Sequence, residues 1–130
     1  MLKKTINYTD FNDVEQSCEA YFNLTKSELM KMEMRANGGF ADKIKAAIEN
    51  NDGHTMLDIF EELILNAYGV KSEDGSKFIK FDKDGHRLAD DFKQTAAYDA
   101  LFSELASDAD AAAAFVNGVI PASLQAQLNK

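Results

Sequence analysis

Residues 55–68, TMLDIFEELILNAY, constrain the fold more than any other stretch of this chain. Met56, Phe60, Leu63 and Ala67 recur at helical spacing, and Leu57, Ile64 and Tyr68 form a second row beside them. Ile59 and Leu65 widen the apolar surface further. A helix apolar around so much of its girth is buried on several sides, so it predicts the centre of the fold. Thr55 is expected to cap its first turn, and Asp58 falls at N3, where the helix dipole favours an acid. Gly69 stands where a left-handed residue closes a helix.

Upstream, residues 3–11 and 14–23 read as a β-hairpin. Ile6 and Tyr8 alternate with Thr5, Asn7 and Thr9. On the second run Val14, Cys18, Ala20 and Phe22 are expected on one face, with Glu15, Ser17 and Glu19 on the other. Asn12 and Asp13 supply the turn, because both residue types tolerate positive φ. A lone hairpin is marginal in water, so this one must lean on helices or pair with another chain, and its open edges are one candidate partner surface.

The segment Leu24, Thr25, Lys26, Ser27, Glu28, Leu29 carries two helix-start signals at once. Thr25 and Glu28 match the capping box, and Leu24 with Leu29 matches the hydrophobic staple. A helix over about 26–36 follows, ending at Asn37, Gly38 and Gly39. Within it Met30 and Met34 stack at i, i+4, whereas Met32 points about 160° away from both. One side of this helix therefore sets a methionine where a polar residue is the norm. Flexible, polarizable methionines suit surfaces that bind varied apolar helices, so Leu29, Met30, Met32 and Met34 are the candidate partner-binding residues.

Further helices are predicted over 40–50 through Phe40, Ile44, Ala47 and Ile48, and from Thr95 through Tyr98, Leu101, Phe102 and Leu105. A helical turn is expected near 88–93. Ser107 with Asp110 reads as a start for residues 111–117, with Gly118 as the stop, and Pro121 opens a last short helix through Leu124 and Leu128. Residues 71–87 are polar and punctuated by Gly75 and Gly85, with one short run, residues 77–81, that suits a strand or an extended loop. The expectation is an α+β fold: a mostly α-helical single domain over 1–130, with an N-terminal two-stranded β-hairpin (3–23) and a helical part (25–128) that carries a polar loop at about 71–87.

Chemistry finds little purchase. His54 and His86 sit in polar, turn-like segments, no Cys and His pair has zinc spacing, and no nucleophile-elbow, dinucleotide or Walker sequence occurs. Setting Gly85 at the glycine position of a calcium loop places Asp82 and Asp84 on ligand positions, but puts Lys80 first and Asp91 last, where a bidentate glutamate is needed. Cys18 reads as a buried, inert thiol. No enzyme activity, metal or cofactor is therefore expected. The net charge of −8 argues against nucleic acid, which selects basic patches. No apolar run approaches the ~20 residues of a membrane span, and Met1 to Lys4 lead into a polar stretch in place of a signal sequence. A single cysteine suits a reducing cytosol.

Three stretches together resemble one family. YFNLTKSELMKME, then IFEELILNAYG followed by KSEDGSKFIK, then AYDALFSELASDADAAAAFVNGVIPASL look like the tail assembly chaperones of siphophages and prophages of Gram-positive bacteria. The similarity runs over nearly the whole chain and is most specific in residues 21–29 and 115–124. One departure is the hairpin turn, where such chains tend to carry glycine and this one has Asn12 and Asp13. The resemblance implies a non-enzymatic protein of the host cell cytoplasm, absent from the mature virion. It would bind the tape measure protein, keep it soluble and help recruit tail tube protein around it; repeated shielding along so long a partner favours many copies, so self-association is expected, with the hairpin edges as one route. The alternative is a structural tail component, a tube or connector subunit, which a long free loop and a larger β content would favour.

Overall fold

A computed structural model describes residues 1–35 and 40–120. The chain runs β1 (Leu2–Thr9), β2 (Glu15–Phe22), α1 (Lys26–Arg35), α2 (Phe40–Glu49), α3 (Gly53–Ala67), β3 (Tyr68–Lys71), β4 (Phe78–Ile79), α4 (Leu88–Phe92), α5 (Ala96–Ser107) and α6 (Ala109–Val119). The fold is α+β. Its sheet, however, has four antiparallel strands in the order β1-β2-β3-β4, and the N-terminal hairpin is half of it. The expected two-stranded hairpin is corrected on this point: β3 arises at residues 68–71, where the central helix and its glycine stop were expected, and β4 lies inside the polar stretch, within the run 77–81 that suits a strand.

The hairpin pairs in full register from Leu2 opposite Phe22 to Thr9 opposite Glu15. Its turn is built by Asp10, whose carboxylate accepts from the backbone N–H of Asn12 (2.8 Å) and of Val14 (3.0 Å). Asp13 takes the positive φ, 62°, that its residue type tolerates. Val14 falls inside this turn and is exposed, so the inward face of β2 begins at half-buried Cys18 and continues through Ala20 and Phe22. Burial pushes the pKa of the Cys18 thiol up.

The central helix α3 begins three residues earlier than expected. Asp52, not Thr55, is its cap: the Asp52 carboxylate accepts from Thr55 N–H (3.1 Å) and from the Thr55 hydroxyl (2.6 Å). Ile59, Phe60, Leu63, Ile64, Leu65 and Ala67 are buried, as the wide apolar girth predicts. At the other end Gly69 does not close the helix. The chain passes directly into β3, and Gly69 lies buried in that strand opposite Tyr21. A Cβ there would stand 2.6 Å from the Phe78 ring and 2.8 Å from the Ile79 carbonyl oxygen, so glycine is required by close approach. Gly118 is a second case. It lies inside α6, which runs on to Val119, and a Cβ on it would meet the Leu2 side chain at 3.0 Å. The start of α6 also moves: Asp108 is the cap, accepting from Asp110 and Ala111 N–H, while Ser107 ends α5 and donates to the Ser103 carbonyl.

One core joins these elements. The Phe22 ring is fully buried and makes tilted or edge contacts with Tyr68 (5.9 Å), Phe92 (6.0 Å) and Phe115 (5.2 Å). Tyr68 stacks on Phe92 at 4.2 Å, and Phe92 meets Tyr98 edge-on. Ile44 and Ala47 bring α2 into the same cluster, and Leu29 and Met32 bring α1. The expected contributions of the Phe40 and Ile48 side chains, the helix stop at 37–39 and the last helix after Pro121 lie outside the described residues.

Two substitutions test this packing by chemical denaturation. Leu63→Ala should cost about 2–5 kcal/mol, through lost burial and a residual cavity beneath α3. Gly69→Ala, a change that would stabilise an open turn, should cost about 1–3 kcal/mol, because the new methyl must displace the Phe78 ring and a backbone carbonyl. An unchanged unfolding midpoint in Gly69→Ala would mean that β4 does not pack against β3 as described.

Candidate functional site

The candidate surface is the outer side of α1, and its geometry starts from how a ten-residue helix is fixed. An isolated helix of this length is unstable in water, so its ends and one face must be held. The capping box forms reciprocally: Glu28 N–H donates to the Thr25 hydroxyl (3.2 Å), and Thr25 N–H donates to the Glu28 carboxylate (2.9 Å). Both staple residues, Leu24 and Leu29, are buried. The preceding linker is pinned as well, with Asn23 N–H donating to the Ala67 carbonyl and Leu24 N–H to the Val119 carbonyl.

The second Glu28 oxygen receives Lys80, a residue that no local pattern connects with α1. The Lys80 ammonium donates to Glu28 Oε2 (2.5 Å), to the Asn66 carbonyl (2.6 Å) and to the Asn23 carbonyl (2.9 Å), and its side chain is 14% exposed. It thus ties together the helix start, the last turn of α3 and the residue after β2. Partial burial alone would raise the pKa of Glu28. The hydrogen bonds from Lys80 and from Thr25 N–H, with the Lys80 charge, outweigh it and hold the carboxyl below its ordinary value. Lysine at this position was also the mismatch to a calcium loop. Downstream, Asp82 accepts from Asp84 N–H and His86 N–H, both at 2.9 Å, and so serves the turn that Gly85 closes at φ 83°. Asp82, Asp84 and His86 place ligand-type atoms within 4.8 Å of one another, all exposed.

With α1 fixed from beneath, its methionines separate as helical geometry requires. Met32 is 2% exposed and Leu29 4%, so both belong to the core. Met30 is 64% exposed and Met34 86%, side by side on the outer face. The four candidate binding residues are therefore not one surface. Two anchor the helix, and two are presented by it.

The hairpin edges are the other candidate. β3 pairs with β2 only at Tyr21 and Phe22, so among the described residues the edge of β2 turned away from β1 is open over residues 15–20, as is the outer edge of β1. At the tip Phe11 is 82% exposed, beside a shallow groove lined by Tyr8, Lys93, Thr95 and Tyr98. No pattern in the sequence singles out Phe11. It sits between Asp10 and Asn12, where turn chemistry masks an apolar residue. A second apolar set is exposed on and just after β3 and β4: Val70 and Ile79 are cross-strand partners, and Phe81, two residues past β4, bridges to Arg87.

The family described as “Phage tail assembly chaperone” matches this chain over residues 1–130. The chain belongs to that family. No curated protein and no solved structure matches it. For a tail assembly chaperone, the features above amount to an ordered scaffold with exposed methionines on one anchored helix and open strand edges elsewhere.

The anchoring of α1 is testable by equilibrium unfolding. Thr25→Ala should cost about 1 kcal/mol, and adding Glu28→Ala should cost less than its single-mutant effect, since the two share one box. Lys80→Met should cost about 1–3 kcal/mol, because it leaves two carbonyls and a partly buried carboxylate unmatched. Glu28 has a folded pKa below its unfolded value. Its contribution is therefore complete above the ordinary value of 4.5 and is lost as pH falls through the lower, folded value. Glu28→Gln should flatten that part of the acid-unfolding profile, and an unaltered profile would exclude Glu28 as its source.

Proposed function

We propose that this tail assembly chaperone binds the tape measure protein, keeps it soluble while the tail forms, and helps recruit tail tube protein around it. The observation that carries the reading is the pair Met30 and Met34, exposed on a helix whose opposite face is buried and whose start is locked by Thr25, Glu28 and Lys80. A long helical client offers apolar stripes of many local sequences, and a chaperone needs contacts that adapt to all of them. Methionine side chains, unbranched and polarizable, re-pack against such stripes at small cost. The net charge of −8 keeps the loaded complex dispersed.

The role is non-enzymatic and needs no cofactor. It is exercised in the host cytoplasm, and the protein is absent from the mature virion. Coverage of a long client by a small protein requires many copies, so self-association is part of the proposal, with the open hairpin edges as one route. A tube or connector subunit would call for a long free loop and a larger sheet, whereas β3 and β4 are four and two residues long.

Co-expression with the tape measure protein of the same phage provides the test. The Met30→Glu/Met34→Glu variant changes only exposed positions and should keep its thermal midpoint, since such changes shift stability by about 0.5 kcal/mol or less. It should lose the ability to keep the client in the soluble fraction. A soluble client in the presence of the folded variant would remove α1 as the binding surface.

A further inference from the structure

Phe11 stands on a turn that is closed by its own hydrogen bonds. The Asp10 carboxylate accepts from the backbone N–H of Asn12 and Val14 and from the Gln16 side-chain amide (3.0 Å). Asp10 N–H donates to the Val14 carbonyl (2.9 Å), and Asp13 N–H donates to the Asp10 carbonyl (3.0 Å). The ring between them is carried on an ordered backbone and leaves 82% of its residue's surface in water. The same patch holds a receptacle. The groove beside the tip is lined by Tyr8, Ala96, Tyr98 and Ala100 and has about 640 Å³ of open space. Tyr98 is fixed there by stacking on Phe102 (5.9 Å) and by its edge contact with Phe92 (5.8 Å), so the hollow is preformed. Phe11 stands at its rim and does not fill it.

Resting on the reading that this chaperone works in many copies, we propose that Phe11 of one copy enters the hollow of a second copy and receives that copy's Phe11 in return. Ring and hollow lie side by side on one chain, so a single two-fold rotation satisfies both. An occupant of any other sequence would fill the hollow and still leave Phe11 in water. Inside, the ring gains contacts with Tyr8 and Tyr98, and aromatic pairs add to the area they bury. Each ring brings roughly 200 Å² to the contact. With walls of equal area, the two contacts bury about 800 Å² in all, below the ~1,200 Å² of lasting interfaces, so the dimer is transient. Charge does not drive it. The tip of one copy brings Asp10 and Asp13 beside Lys93 and Asp99 of the other, and Lys93 is already paired with Glu61. Acids outnumber the lysine across the contact, so salt screens a net repulsion.

Sedimentation equilibrium of the full chain, from about 10 μM to about 1 mM, reads this contact. The wild-type protein should rise with concentration from one protomer to two and stop there, because an isologous contact closes on itself. The dimer should tighten about threefold in about 1 M salt. Over the same range the nuclear magnetic resonance of the Ala100 methyl should shift, from the ring current of the arriving phenylalanine. Phe11→Asp changes an exposed turn position, and Ala96→Glu fills the hollow with a residue that suits the first turn of α5. Each should stay monomeric and hold that resonance still, with an unchanged circular dichroism spectrum. A wild-type monomer at every concentration overturns the inference. So does a dimer that survives either substitution, or one that leaves the Ala100 methyl unmoved. A monomeric Phe11→Asp that still keeps the tape measure protein soluble upholds the contact and removes self-association from the proposed function. A wild-type monomer whose protection of that client is lost in Phe11→Asp assigns the ring to the client and overturns the contact between copies.

Discussion

The Phe22 ring is the contact on which the other elements converge. It is carried by the last residue of β2 and touches Tyr68 at the start of β3, Phe92 at the end of α4 and Phe115 in the middle of α6. Edge and tilted contacts between rings add to the area they bury, and each ring here arrives on a different element. The hairpin cannot stand alone, β3 is four residues long and α4 is five, so none of these pieces is stable by itself. They persist because the ring cluster gives each of them the others as a surface. Stability of this fold is therefore cooperative across the sequence, from residue 22 to residue 115.

Lys80 plays the polar counterpart. Its ammonium replaces water at two backbone carbonyls and one carboxylate where β2, α1, α3 and β4 meet. Three acceptors around one cation compensate its desolvation, which a single partner would not do. The result for α1 is that order does not depend on the outer face. α1 gets its order from its cap, its staple and its inward Leu29 and Met32. Met30 and Met34 are then free of any structural duty.

Local signals were legible wherever the determining groups lie within a few residues of one another. The capping box of Thr25 and Glu28, the cap at Thr95, the alternation of the hairpin and the split of Met32 from Met30 and Met34 all follow from spacing alone, and each has its counterpart in the structure. The misreadings have a common physical source. Gly69 and Gly118 look like helix stops from their neighbours, but their missing Cβ atoms make room for Phe78 and Leu2, residues 9 and 116 positions away in sequence. β3 is too short for alternation to reveal it where a helical period runs up to Tyr68, whereas β4 falls within the run 77–81 that suits a strand. Lys80 sits in a polar run where nothing nearby signals three partners 14, 52 and 57 residues distant. For the site, helical period told which methionines oppose each other, but which pair faces water depends on the packing of α1 against the rest of the fold.

The junction of α3 and β3 has a consequence for how this chain can vary in length. Ala67 ends the helix and Tyr68 begins the strand, so no connecting residue lies between the two elements. Tyr68 closes the helix through its N–H to Ile64, pairs with Phe22 and stacks on Phe92 at the same time. One inserted residue would turn everything upstream by about 100° or send every strand side chain to the opposite face, and no slack exists to absorb it. The turns at residues 72–77 and 82–86 are exposed and closed by their own hydrogen bonds, Ser72 with Asp74 and Asp82 with His86. Insertions and deletions among related chains should therefore gather in those two turns and spare the seam between helix and strand, which makes the spacing from Phe60 to Tyr68 a stricter ruler of this fold than any single side chain within it.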